Sequence, residues 1–346
     1  MPTVRARATA GPHLPFETTT IERRDPGPRD IVIDIAYCGI CHSDIHHAHN
    51  DYGKTQYPLV PGHEITGTVS TIGPGVTRYA VGDRVGVGCM IESCGKCEHC
   101  RTGRQQFCAE GYTPTAASVD KSGRKTLGGY SSSIVVDEEF VLRIPDALPL
   151  ERAAPLLCAG ITLYSPMRRW KVGPGTRLGL LGFGGLGHIG VQLSAALGAR
   201  TTVLDLSLDK ADDGLRLGAD TYRATTDEGL FSELASSYDL VINTVPVNLD
   251  LDRYLGLLDV EGVWVNIGVP EKQLAVSPFT LLKGRRSLAA SLIGGIAETQ
   301  EMLDFCAEHG IGGEVEVIGP DSIDEAYERV LAGDVRYRFV IDAGTI

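Results

Sequence analysis

Four cysteines, Cys94, Cys97, Cys100 and Cys108, fall within fifteen residues of the segment SCGKCEHCRTGRQQFC, at spacings of 3, 3 and 8. Such spacings let four thiolates converge on one tetrahedral ion from a single loop, and zinc favours sulfur ligation of this kind. A closed four-thiolate shell leaves no position for substrate, so the expected role is to pin a long loop. An iron–sulfur cluster would accept the same donors. Four unligated thiols in one loop would be an oxidation liability. A nucleic-acid finger is disfavoured, because the loop offers only Lys96, Arg101 and Arg104 as basic residues.

A second set is dispersed: Cys41 in GICHSDIHH, His63 in PGHE and Cys158 in PLLCAG. Singly, each has an ordinary explanation. A lone cysteine is more often a buried apolar thiol, and His63 beside Gly62 fits a turn. The third motif is Gly182-Phe183-Gly184-Gly185-Leu186-Gly187, between the apolar run RLGLLGF and a stretch of helical period. In a strand–turn–helix setting such glycines let the backbone approach a pyrophosphate, which rests on the helix N-terminus. Asp205 follows eighteen residues after Gly187, at the end of TTVLDL. There a carboxylate accepts bonds from both ribose hydroxyls of NAD and repels a 2′-phosphate. Lys210 is the first basic residue after it.

These groups need elements to hold them. Up to about residue 150 the chain reads as short Val- and Ile-rich strands fenced by Gly, Pro and Asp: IVIDIAYCGI, GTVSTIG, DRVGVGC and SSSIVV. From about 160 strands alternate with helices. RLGLLGF, TTVLDL, YDLVINTV, GVWVNIG and RSLAASLI are the strands, and GGLGHIGVQLSAALGA, DKADDGLRLG and NLDLDRYLGLLD the helical pieces. That alternation predicts a parallel, doubly wound sheet. ETQEMLDFCAEHG and SIDEAYERVLAG then read as helices, and YRFVID as a last strand.

The 346 residues suit about two domains. Apolar residues at 43% and charged residues at 22% describe a globular chain and exclude a disordered or fibrous one. A net charge of −12 disfavours a nucleic-acid partner. The longest apolar stretch, 178–199, is interrupted by glycines and does not read as a membrane span. Nine cysteines and a polar N-terminal segment point to a reducing compartment, the cytoplasm.

In order along the chain, CGICHSDIH, YPLVPGHEITG, GDRVGVGC, CGKCEHCRTGRQQFC, APLLCAGITLYSP, GFGGLGHIG and DVRYRFVID resemble the zinc-dependent medium-chain dehydrogenase/reductase family, most closely its cinnamyl-alcohol-dehydrogenase-like branch. The resemblance implies an α/β enzyme. A GroES-like β-rich catalytic domain, residues 1–157 with 296–346, would carry two zinc ions. A Rossmann domain, 158–295, would carry the nicotinamide cofactor, with the active site in the cleft between them. It implies Cys41, His63 and Cys158 as ligands of a catalytic zinc whose fourth position stays open. Glu64 resembles the neighbouring carboxylate that approaches the metal, and Asp44 the acid that orients His63. Ser43 resembles the hydroxyl at the substrate oxygen and His46 the end of the proton relay. His42, Thr162 and Arg338 match cofactor contacts, and Tyr52, Met90 and Tyr112 the substrate pocket. RSLAASLI resembles an edge paired across a homodimer. The expected reaction is hydride transfer between a primary alcohol, aryl or allylic ones included, and the nicotinamide. The branch usually has Ser or Thr at the position of Asp205 and uses NADP. The carboxylate here therefore makes NAD the expected cofactor, with NADP as the alternative through Lys210. A zinc-free quinone or enoyl reductase of the same fold lacks the Cys/His/Cys set, and a non-enzymatic zinc module lacks the glycine fingerprint.

Overall fold

The computed structural model describes residues 1–346. They form two compact units, Met1–Ile161 with Gly294–Ile346, and Thr162–Ile293. The first boundary lies four residues beyond the catalytic-domain bound of 157 that the resemblance implied, which puts Cys158 in the same unit as Cys41 and His63.

The second unit is built on six parallel strands, in the order Thr221–Ala224, Arg200–Asp205, Arg177–Leu181, Tyr238–Asn243, Leu258–Asn266 and Ser287–Ala290. Strands covered on both faces are apolar throughout rather than alternating. Leu178, Leu180, Val203, Leu204, Val241 and Ile242 are accordingly all buried to completion. Chain order reverses direction between Arg177–Leu181 and Tyr238–Asn243, and a crevice opens outside the strand ends at such a switch point. Helix Gly187–Ala196 follows the first strand directly. Strand Thr221–Ala224 was not evident from sequence, because TYRA is too short and too polar to form an apolar run.

The first unit centres on a seven-stranded sheet. Its path runs Val315–Ile318, Arg338–Asp342, Asp30–Gly39, Ile65–Ile72, Arg84–Val87 and Leu142–Arg143, and Ser133–Asp137 also pairs with Asp30–Gly39. All pairings are antiparallel except the first. Ile31, Ile33 and Ile35 alternate inward along the long strand while Asp34 faces out. That strand leads straight to Cys41. Helix His42–His49 follows, capped by a reciprocal pair: Cys41 is the N-cap, and the Asp44 carboxylate accepts from its N–H at 2.9 Å. A hairpin of Thr3–Thr9 and Phe16–Glu22 precedes the sheet.

Candidate active site

The four-cysteine loop closes as its spacing suggests. The Sγ atoms of Cys94, Cys97, Cys100 and Cys108 all lie within 4.8 Å of one another, and Cys94 and Cys100 are 3.8 Å apart. An ion with Zn–S bonds of about 2.3 Å sets tetrahedral sulfurs about 3.8 Å apart. Backbone N–H groups aim at these sulfurs: Cys94 at Cys108 (3.3 Å), Cys97 at Cys94 (3.3 Å) and Cys100 at Cys97 (3.5 Å). Such donors favour thiolate over thiol. Those of Ala109 and Cys100 draw the Cys97 thiol down to about 6. The donor set fits a structural zinc.

The dispersed residues also converge. Ligand atoms of Cys41, His63, Glu64 and Cys158 lie within 4.8 Å of one another, and the two sulfurs are 3.9 Å apart. Cys41 ends the loop after strand Asp30–Gly39, His63 and Glu64 immediately precede strand Ile65–Ile72, and Cys158 follows a short helical turn, Ala154–Leu157. Asp44 ties two of these together. Its Oδ2 accepts from the Cys41 N–H, and its Oδ1 accepts from the Gly62 N–H (3.0 Å) and meets His63 Nδ1 (3.0 Å). His63 Nε2 is thereby left for the cluster. Burial alone would lower the imidazole, but the Asp44 carboxylate, by charge and hydrogen bond, and Cys41 carry it well above the usual histidine range. Contact with Cys158, against burial and with help from His63, holds the Cys41 thiol well down, and the same contact pushes Cys158 well up.

Glu64 is fully buried and ion-paired through Oε1 with Arg338, while Oε2 has no hydrogen-bond partner. Burial pushes its carboxyl up to about 7 against the pull of the Arg338 guanidinium. A Cβ at Gly39 would overlap this carboxylate, so a glycine is needed there. A buried, orphaned carboxylate oxygen beside two thiols and an imidazole is the arrangement a divalent cation would satisfy. The residues fit a zinc ion. Asp44→Asn is expected to cost about 10–100-fold in metal affinity, since an amide keeps one acceptor oxygen and turns its NH₂ donor toward at least one of the three donors. Metal retention against graded chelators measures this, and retention equal to the parent would remove Asp44 from the site.

The relay residues are brought together in part. Ser43 Oγ lies 3.2 Å from Cys41 Sγ and 3.4 Å from His63 Nε2, at the heart of the cluster. His46 is one turn further along the helix, partly exposed, with Nδ1 at 2.7 Å from Asp51 Oδ2. Nothing in sequence pattern singled out Asp51. No hydrogen bond links Ser43 to His46 directly; the ring nearest His46 on its own helix is His42, at 5.2 Å between centroids. Burial, then His46, lowers the His42 imidazole. Tyr52 packs beside His46 and edge-on to His47. Tyr112 is partly buried near the cluster: burial raises its phenol, and Cys89, His63 and Cys158 act on it. Met90 is buried in strand Met90–Glu92. Cys89, next to it, contacts Cys158 and bonds the Leu157 carbonyl at 3.8 Å. A solitary cysteine in GVGC carries no sequence signal for that placement.

In the second unit the glycine loop has the expected sterics. Gly182 has φ +95°, and a Cβ there would meet Thr244 Oγ1 and Val245 Cγ1 at 2.5 and 2.6 Å. A Cβ on Gly187 would overlap the Gly182 carbonyl, whereas one on Gly184 would meet nothing within 4 Å. Gly182 and Gly187 are required by the turn, and Gly184 keeps an approach open. Gly185 and Leu186 complete the loop, with Leu186 at the N-cap of the helix. Asp205 ends strand Arg200–Asp205. Lys210 is the N-cap of helix Ala211–Arg216, whose first turn carries Asp212 and Asp213. Thr162 lies on helix Ala159–Arg169.

Comparison with known proteins completes the description. Residues 27–146 match the model of the alcohol dehydrogenase GroES-like domain, and residues 185–308 that of the zinc-binding dehydrogenase. The chain is 58% identical over 346 residues to the NADP-dependent alcohol dehydrogenase C of Mycobacterium bovis, covering 100% of both. It is similar to a cinnamyl alcohol dehydrogenase structure from Sorghum bicolor, with a TM-score of 0.96, 39% identity and coverage of 99% of this chain and 98% of that one. The crystal structure of CAD from Helicobacter pylori complexed with NADP(H) gives a TM-score of 0.93 at 39% identity, again covering 99% and 98%.

Proposed function

The chain belongs to the zinc-dependent alcohol dehydrogenase family, and on that premise we propose that it interconverts primary alcohols, aryl and allylic ones included, with their aldehydes, and that it prefers NAD(H) over NADP(H). The activity class is that of the family: hydride passes between an alcohol carbon and a nicotinamide. The observation that carries the site assignment is the convergence of Cys41, His63 and Cys158 around the orphaned Glu64 oxygen.

A zinc ion held by Cys41, His63 and Cys158 supplies a Lewis acid that eases loss of the alcohol proton and, in reverse, polarises the carbonyl. Asp44 fixes the histidine ring and the Cys41 loop. Ser43 presents a hydroxyl at the cluster to receive the substrate proton. His46 accepts it next through a bridging donor–acceptor group, and Asp51 Oδ2, 2.7 Å from Nδ1, orients the ring. Tyr52 and Tyr112 offer aromatic faces to an aryl or allylic group.

His46→Gln is expected to slow alcohol oxidation by on the order of 10²-fold at neutral pH, and by less at high pH, where hydroxide reaches the proton directly. A variant with the parent's pH–rate profile would take His46 out of the relay. The activity itself is tested by the absorbance of reduced nicotinamide over a panel of aryl, allylic and alkyl aldehydes, with elemental analysis of the same sample. Zinc-containing protein inactive on the whole panel would overturn the substrate class.

The preference for NAD rests on Asp205, an acceptor-only carboxylate at a strand end followed by Asp209, Asp212 and Asp213, with Lys210 the one cation among them. The names of the mycobacterial and Helicobacter relatives specify NADP, which sets this residue-level reading against them. We also propose a homodimer. Strand Ser287–Ala290 is a sheet edge, and the neighbouring helix Pro278–Leu282 exposes Phe279 and Leu282. No helix is long and apolar enough to cross a membrane. Nine cysteines, none in a disulfide, suit the cytoplasm.

A further inference from the structure

Tyr222 sits under the ribose-recognition residue. It belongs to strand Thr221–Ala224 and is only 7% exposed. Its ring is held from two sides: Phe183 of the glycine loop meets it edge-on at 5.5 Å, and a Cβ on Gly214 would come within 2.6 Å of it. Val203 pairs with Tyr222 and Asp205 with Ala224, so the tyrosine is the diagonal neighbour of Asp205 on one face of the sheet. Its hydroxyl donates to Asp205 Oδ2 at 2.9 Å, and the Leu206 N–H donates to Oδ1 at 2.9 Å.

An aspartate at a strand end ordinarily samples several rotamers, and a ligand that needs one of them must order it. Here each carboxylate oxygen already holds one protein donor and keeps an acceptor site for another. The tyrosine ring has no freedom of its own, so its donor is fixed before any cofactor arrives. A charged acceptor also binds a hydroxyl donor more strongly than a neutral one does.

We propose that Tyr222 is a positioning residue for cofactor choice, holding the Asp205 carboxylate where it meets the ribose hydroxyls and preventing it from turning away from a 2′-phosphate. The inference rests on the NAD reading of Asp205.

Tyr222→Phe keeps the ring and removes only the hydroxyl. Fluorescence titration of the zinc-loaded protein with NADH and with NADPH gives the ratio of the two Kd values. That ratio is expected to move about tenfold toward NADPH, the scale of one charge-assisted hydrogen bond, with Tm and metal content unchanged. In an Asp205→Ser background, Tyr222→Phe is expected to leave the ratio where Asp205→Ser put it, because the proposed role runs through the carboxylate. Equal weakening of both cofactors would mean a packing role and overturn the proposal. So would an unchanged ratio in Tyr222→Phe when Asp205→Ser shifts it, with the NAD reading left standing. Tighter NADPH binding by the parent, or a ratio indifferent to Asp205→Ser, would overturn the NAD reading and the role of Tyr222 with it.

Discussion

Cys158→Ala is expected to abolish turnover and to lower the metal content from two ions per chain to one. Two separate groups of donors exist, one of four cysteines and one of Cys41, His63, Glu64 and Cys158. Removing Cys158 takes one of two sulfurs from the second group and leaves the first intact. Loss of an outer hydrogen-bond partner of a metal ligand costs about 10–100-fold, and loss of one donor to developing charge about 10²–10³-fold. A missing ligand removes the Lewis acid itself, so a fall of about 10³-fold or more is the expectation. The matched control is Cys100→Ala, which opens the other group. Cys100 is buried in the loop that this group pins, so its loss is expected to appear as a lower Tm and poorer yield. Brief chelation of the parent provides an independent arm. An open coordination position admits a chelator and a closed four-thiolate shell resists it, so about one ion is expected to leave while the fold persists. Parent-like kcat in Cys158→Ala, or a single zinc in fully active enzyme, would end the two-site description.

How far such a site can be read from sequence depends on how local its interactions are. Cys94 to Cys108 span one loop, and spacing alone brings their sulfurs together. Cys41, His63 and Cys158 are separated by 22 and 95 residues, so their meeting depends on the path of two strands and a helical turn and could be stated only through family resemblance. The strands Arg177–Leu181 and Tyr238–Asn243 were legible because burial on both faces leaves uninterrupted apolar runs. The hairpin of Thr3–Thr9 and Phe16–Glu22 was not. TVRARAT and FETTTIE interleave polar residues, and the terminal nitrogens of buried Arg7 bond Thr18, the Phe16 carbonyl and Asp321, the last of these far along the chain. Helix His42–His49 was hidden for a similar reason. Its start is set by the Asp44–Cys41 cap, and the same carboxylate serves His63, so a local signal and a long-range one share one side chain. Asp51 and Tyr222 left no trace in pattern, since each acts by touching a residue that had been identified without it.

Asp205→Ser is expected to reduce or invert the proposed preference for NADH, which in the parent is expected to be on the order of 10²-fold in kcat/KM. The carboxylate ends its strand with both oxygens held by protein donors, Tyr222 and the Leu206 N–H, and each oxygen retains capacity for one more. Two ribose hydroxyls fill that capacity, each bond to a charged acceptor contributing about 1.5–3 kcal/mol. A 2′-phosphate instead places a second anion against the first and removes one of the hydroxyl donors. Asp209 and Asp212 add negative charge to the segment after the strand end, where Asp213 is ion-paired with Arg216. Serine carries no charge and hydrogen-bonds a phosphate oxygen, so the substitution removes the repulsion and the strong acceptor together. Lys210, at the N-cap of the next helix, then meets a phosphate that Asp205 no longer repels. The Cys41, His63 and Cys158 cluster lies in the other compact unit, so metal content is expected to stay at the parent's value. Initial rates with NADH and NADPH on one aldehyde, at cofactor concentrations well below saturation, decide the matter. Faster turnover of NADPH by the parent would mean that Lys210 already outweighs Asp205, and would align this chain with the cofactor named for its mycobacterial relatives.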